Sequence, residues 1–167
     1  GNKVAPAANE GAGKPVGGVS QLDVENALRF DNKMMAFDTT ADGLKAILEH
    51  SVAAGANQGR FGQIGGIRYS YDPDNAAGAR VINISLVDQN GVVVARILED
   101  GVVSADAPSV ITVATTSFTA NGGDGYPMKP TGSNFRFLLT DGTLGQSVDE
   151  AIDFTLPENT PADAMGE

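Results

Sequence analysis

Two periods run along this chain. After Thr40, the residues Leu44, Ile47, Leu48 and Val52 recur at helical spacing. Residues 41–53 (ADGLKAILEHSVA) therefore read as an amphipathic helix with Thr40 as its N-cap. Elsewhere the period is two, or the apolar run is short. Residues 33–39 read as a strand leading into that helix. In IRYSY (67–71), Ile67, Tyr69 and Tyr71 alternate with polar residues, as in a half-buried strand. ARVINISLV (79–87) and VVVARIL (92–98) flank Asn90-Gly91, a strong hairpin-turn signal. SVITVATTSF (109–118) predicts a strand that ends on Phe118, and FRFLL (135–139) predicts the last one. Ser147 and Glu150 have capping-box spacing, which predicts a short helix near 148–154. Thr160-Pro161 reads as the N-cap and first residue of a final helix cut short by the end of the chain. The sum is an α+β fold: a mixed or mostly antiparallel sheet with one principal amphipathic helix and shorter helices.

Composition narrows the class. At 167 residues and 41% hydrophobic, the chain can bury one core. Residues 1–18 are rich in Gly, Ala, Pro and Asn and read as a linker leading into the domain. The domain proper is expected over 19–156, with 157–167 as its tail. Eleven basic residues against 21 acids give a net charge of −10, which repels a nucleic-acid backbone. No apolar run reaches the roughly 20 residues of a membrane span. Without cysteine there is neither a disulfide framework nor a thiolate metal site. The single histidine, His50, falls on the predicted helix without matched partners and reads as structural rather than as a ligand. DPDN (72–75) and DQNG (88–91) complete no calcium loop and read as turns. No Ser-His-Asp set and no phosphate-binding P-loop is present, so no catalytic and no metal-ligating residue is assigned.

One stretch asks for more than a turn. SFTANGGDGYP (117–127) sets Phe118 and Asp124 on one glycine-rich loop. Spacing alone makes Phe118 a core residue and Asp124 an ordinary turn aspartate. Four stretches in order change that balance: ALRFDN (27–32), GLKAILEHSV (43–52), GRFGQIGGIRYSYDP (59–73) and TTSFTANGGDGYPM (115–128). Together they resemble the C-terminal, substrate-binding domain of the 5′-nucleotidase / UDP-sugar hydrolase family, over roughly residues 16–130. The last stretch is the most specific, because Phe, Gly-Gly-Asp-Gly and an aromatic recur at fixed spacing.

The resemblance implies a nucleoside site. Phe30 and Phe118 match the two rings that sandwich the base, and Asp124 matches the residue that accepts hydrogen bonds from the ribose hydroxyls. A flat ring stacks on either face of a base without reading its edge, and a carboxylate can accept from both hydroxyls of a diol. Asn32 takes a supporting place, and Gly122 and Gly123 shape the loop. Arg29 and Asp31 stand where the family usually has Pro and Gly. The family's Asn-Gly-Gly-x-Ile-Arg segment has no counterpart in AANEGAGKPV, so its arginine is expected upstream of Gly1.

Catalysis is likewise expected elsewhere. The resemblance implies phosphoester hydrolysis by paired divalent metal ions, held in a metallophosphoesterase domain N-terminal to Gly1. This chain on its own is expected to bind a nucleotide or nucleoside weakly, if at all, and to turn nothing over. Its expected partners are that ligand and the N-terminal catalytic domain of the same polypeptide, with no cofactor of its own, no nucleic acid and no membrane span. By the same resemblance its location is periplasmic, secreted or at the cell surface. The alternative is a non-catalytic surface or adhesion module that keeps the fold without the ligand.

Overall fold

The computed structural model describes residues 13–27 and 30–166. In chain order the elements are α1 (Gln21–Ala27), β1 (Met34–Thr39), α2 (Ala41–Val52), β2 (Ile67–Tyr71), β3 (Val81–Val87), β4 (Val93–Glu99), β5 (Val102–Val103), β6 (Ile111–Thr116), α3 (Ser117–Ala120), α4 (Met128–Thr131) and β7 (Gly132–Phe137). Short 3-10 turns occupy Gly123–Gly125 and Pro157–Asn159. The expected α+β class and the antiparallel pairing hold, but the strands divide into two sheets. One has the order β6-β1-β7 and the other β2-β3-β4-β5. Every pairing is antiparallel.

The helix α2 explains the division. Thr40 caps it, its hydroxyl accepting from the Gly43 N–H at 3.2 Å. It is buried on more than one side: Leu44, Ile47, Leu48, Glu49, Ser51 and Val52 are all buried. Ile47 joins a core with Met35, Phe37, Phe135, Phe137 and Phe154 from the three-stranded sheet and its flanks. Leu44, Leu48 and Val52 join a second core with Val81, Ile84, Ile97 and Leu98 from the four-stranded sheet. One helix thus fills the space between two apolar faces. In the first core, Phe135 stacks on Phe37 with centroids 5.0 Å apart and leans on Phe154 at 5.1 Å.

The hairpin forms where Asn90-Gly91 predicts it. The Asp88 N–H donates to Val92 O at 2.9 Å, and Gly91 takes φ 77°. Two predicted helices do not form. Residues 148–154 make turns instead. Asp149 Oδ1 accepts from the Ala151 N–H at 2.9 Å, and Asp153 Oδ1 from the Thr155 N–H at 2.8 Å. These aspartates satisfy nearby donors locally, in competition with the capping box. Thr160 opens no helix either; it closes the 3-10 turn Pro157–Asn159. The tail then returns to the three-stranded sheet. It bridges Leu139 through Ala164 and Lys33 through Gly166, and the Met34 N–H donates to Met165 O at 2.9 Å. The sheet's unpaired backbone groups are a stronger partner for residues 164–166 than two turns of isolated helix.

The expected linker, residues 1–18, is described from residue 13 onward, and there it is tied to α1. Lys14 is 9% exposed and its Nζ lies 2.5 Å from Asp23 Oδ2. Asp23 also accepts from the Ser20 N–H at 2.8 Å, closing the first turn of α1. The Lys14 hydrogen bond, followed by those from Ser20, lowers the Asp23 pKa from 3.8 to about 2. A carboxyl whose folded pKa is depressed contributes stability in full above its unfolded value, and loses it as pH falls through the folded one. This first turn will therefore loosen between pH 3.8 and about 2. NMR titration of the Asp23 carboxyl carbon should give a midpoint near the lower value. A midpoint near 3.8 would mean that the pair contributes nothing.

Candidate functional site

The sheet β6-β1-β7 pairs the start of β1 with the end of β6, the two chain segments that flank the predicted site residues. Met34 opposes Thr116, the Ser117 N–H donates to Lys33 O at 2.7 Å, and the Lys33 N–H returns to Ser117 Oγ at 3.1 Å. Phe30 lies three residues before Lys33, and Phe118 follows Ser117, so both residues stand in the chain next to this end of the strand pair. Neither is swallowed by the core: Phe30 is 66% exposed and Phe118 is 44% exposed. Asn32 is half-buried on the same turn as Phe30. Phe118 sits on α3 rather than on the strand, because Thr116 starts a helix there, its hydroxyl accepting from the Thr119 N–H at 3.4 Å.

The glycine loop follows from local sterics. Gly122 takes φ 96° and Gly125 φ 77°, conformations that favour glycine. Gly123 carries the Phe118 ring: a β-carbon there would lie 2.4 Å from ring atom Cε1. Between them Asp124 holds φ 55° and ψ 17°, left-handed despite its side chain. Its carboxylate is exposed and makes no hydrogen bond or ion pair with any described residue.

Three distant groups fix this loop. Asn121 donates from Nδ2 to Asp153 Oδ1 at 2.9 Å and accepts from the Phe154 N–H at 3.3 Å. Hydrogen bonds from the Thr155 side chain and backbone hold the Asp153 carboxyl below its ordinary pKa. Tyr126 donates its hydroxyl to Arg60 O at 2.5 Å. His50, on the last turn of α2, lies 2.9 Å through Nε2 from Asp124 O, and its ring leans on Tyr126 with centroids 4.8 Å apart. Sequence reading missed all three anchors. Their partners are 32, 66 and 74 residues away, beyond any local spacing rule.

A cleft of about 610 Å³ opens beside the loop. Leu44, Leu48, Leu86 and Val113 line its apolar part, with Arg60 and Asp124 among the polar groups around it. This is the size of a small-molecule site. Of the predicted site residues only Asp124 reaches its wall; Phe30 and Phe118 lie outside the lining. The stretch 59–66 is fastened to α2 on one side of the cleft, the Gly62 N–H donating to Ser51 Oγ at 2.7 Å. Among the described residues no three His, Cys, Asp or Glu side chains gather to hold a metal ion, so the residues present do not fit a metal pair. No described helix is long and apolar enough to cross a membrane.

Two antiparallel sheets around one helix, with an anchored glycine loop at a sheet end, define an α+β domain built to present a loop. Known proteins of this kind are recognisable in the sequence itself. The 5′-nucleotidase, C-terminal domain family matches residues 4–131. The chain is 32% identical over 116 residues to the trifunctional nucleotide phosphoesterase protein YfkN of Bacillus subtilis (strain 168), covering 69% of this chain and 7% of that protein. It is 26% identical over 115 residues to Protein 5NUC of Lutzomyia longipalpis, covering 67% of this chain and 19% of that protein. The crystal structure of the 5′-nucleotidase precursor from Thermus thermophilus superposes with a TM-score of 0.52 at 30% identity, over 68% of this chain and 21% of that one. The chain thus spans between 7% and 21% of the length of these relatives. It belongs to the 5′-nucleotidase C-terminal domain family.

Proposed function

We propose that this domain receives the nucleoside part of a nucleotide for a 5′-nucleotidase-type phosphoester hydrolase. The base stacks between Phe30 and Phe118, and the Asp124 carboxylate accepts the ribose hydroxyls. Asn32 supports the first aromatic turn, while Gly122 and Gly123 shape the second loop. The observation that carries this reading is Asp124 itself. It is an exposed carboxylate with no described partner, in a left-handed turn, on the loop whose Gly123 underlies the Phe118 ring. A turn aspartate with a purely structural task accepts hydrogen bonds from its own turn, as Asp88, Asp141 and Asp149 do. The two relatives named as a nucleotide phosphoesterase and a 5′-nucleotidase support the ligand class.

Hydrolysis, in this reading, belongs to a separate metal-bearing domain of a longer exported protein, and this chain contributes recognition alone. Titration of the 167-residue chain with adenosine, followed by amide NMR shifts, tests the site. Shifts confined to residues 30–34 and 116–126 are expected. No shift at millimolar adenosine would overturn the reading and favour a surface module without ligand.

A further inference from the structure

We infer that His50 is a positioning residue, whose Nε2–H holds the Asp124 carbonyl and so fixes the direction in which the Asp124 carboxylate meets the ribose. This rests on the ribose role proposed for Asp124. A carbonyl oxygen only accepts, so at 2.9 Å the histidine must carry its proton on Nε2, in the neutral tautomer or the cation alike. The ring contacts Asp124 and Tyr126 and leaves little room for a side chain on Gly125 between them. It bonds Asp124, it leans on Tyr126 at 60° between planes, and its Cε1 lies 3.2 Å from where a β-carbon on Gly125 would stand.

That grip matters because of what Asp124 lacks. Its φ of 55° is one that residues with a β-carbon avoid, and no described group holds its carboxylate. The side chain's aim is therefore set by the backbone, and among the described residues His50 is the side chain that bonds that backbone at Asp124. The histidine is itself well placed to do this. It sits on a helix whose neighbours Ile47, Leu48, Glu49, Ser51 and Val52 are all buried, so its backbone is held by both cores.

Three variants separate the donor from the ring. His50→Gln puts an amide N–H near the place of Nε2, His50→Asn reaches only as far as Nδ1, and His50→Phe keeps the ring against Tyr126 without a donor. The readout is the ratio of affinities for adenosine and adenine, which isolates the ribose. His50→Asn and His50→Phe should lose about five- to tenfold of the preference for adenosine, with adenine binding within about twofold of the parent, and His50→Gln should keep most of the preference. In the free protein the Asp124 amide shift should be displaced in His50→Phe and near the parent's in His50→Gln. An unchanged adenosine-to-adenine ratio in His50→Phe, or an equal loss in His50→Gln, would overturn the proposal. Failure of the ribose reading looks different: the parent itself would bind adenosine no better than adenine. That would remove the role given to His50 even with the Asp124 amide displaced in His50→Phe.

Discussion

Phe118→Ala will weaken adenosine binding by about 5- to 150-fold, the loss of one base-stacking partner at roughly 1–3 kcal/mol. The fold should barely notice. Phe118 is 44% exposed, whereas Phe37 and Phe135 are fully buried and stacked on one another. Truncating either of those would open a cavity costing about 3–5 kcal/mol. Phe118 instead rests on Gly123, with no room for any side chain beneath it. Its removal uncovers backbone rather than core. Phe30→Ala should act in the same direction, since that ring is the more exposed of the two. Phe118→Trp should retain binding, because an indole face stacks as a phenyl face does. Isothermal or NMR titration gives the affinities, and a denaturant melt of each variant supplies the control. Binding within twofold of the parent in Phe118→Ala, with the melt unchanged, would remove the base sandwich from the site.

Which parts of this arrangement could be read from the chain follows from the range of the interactions. α2 was legible because its N-cap and its apolar stripe lie within thirteen consecutive residues, Thr40 to Val52. The Asn90-Gly91 hairpin was legible for the same reason. Phe30, Phe118 and Asp124 stand out as site candidates only through resemblance, since composition and period give them to the core or to a turn. The division into two sheets was not legible. Strand β1 opens on an unbroken apolar run, MMAF, and β3 alternates, VINISLV, yet neither pattern says that one pairs with β6 and β7 while the other pairs with β2 and β4. α1 went unread because Gln21–Ala27 carries no apolar stripe to bury; Leu22 and Val24 are exposed. Residues 148–154 misled for the opposite reason. Their capping spacing is real, but Asp149 and Asp153 satisfy the local N–H groups first. His50 read as structural because its partner lies across the fold, in a loop that only tertiary packing brings to it.

The largest loss of stability from a polar change should come from Glu49→Ala. Glu49 sits beside His50 on α2, is 8% exposed, and faces the four-stranded sheet. Its Oε1 accepts from the Val81 N–H at 2.7 Å and its Oε2 from the Gly78 N–H at 3.1 Å. Val81 opens β3 and is 1% exposed, so its N–H is buried away from solvent where Glu49 holds it. Leaving the buried Val81 donor without a partner, while the exposed Gly78 N–H passes to water, should cost about 1–3 kcal/mol, or a fall in Tm of roughly 2–12 °C for a domain of this size. Arg80 holds the same corner by donating to Ala53 O at 2.5 Å, and limits the damage to that order. Glu49→Gln offers Val81 its amide oxygen but turns an NH₂ group toward Gly78, so only part of the loss is expected. A denaturant midpoint unchanged in Glu49→Ala would show that the helix does not need this contact. At temperatures well below its melt the variant should still bind adenosine, because Glu49 grips one sheet and His50, one residue on, grips the loop at the end of the other. Loss of binding in a folded Glu49→Ala protein would mean that the two grips are coupled through the last turn of α2.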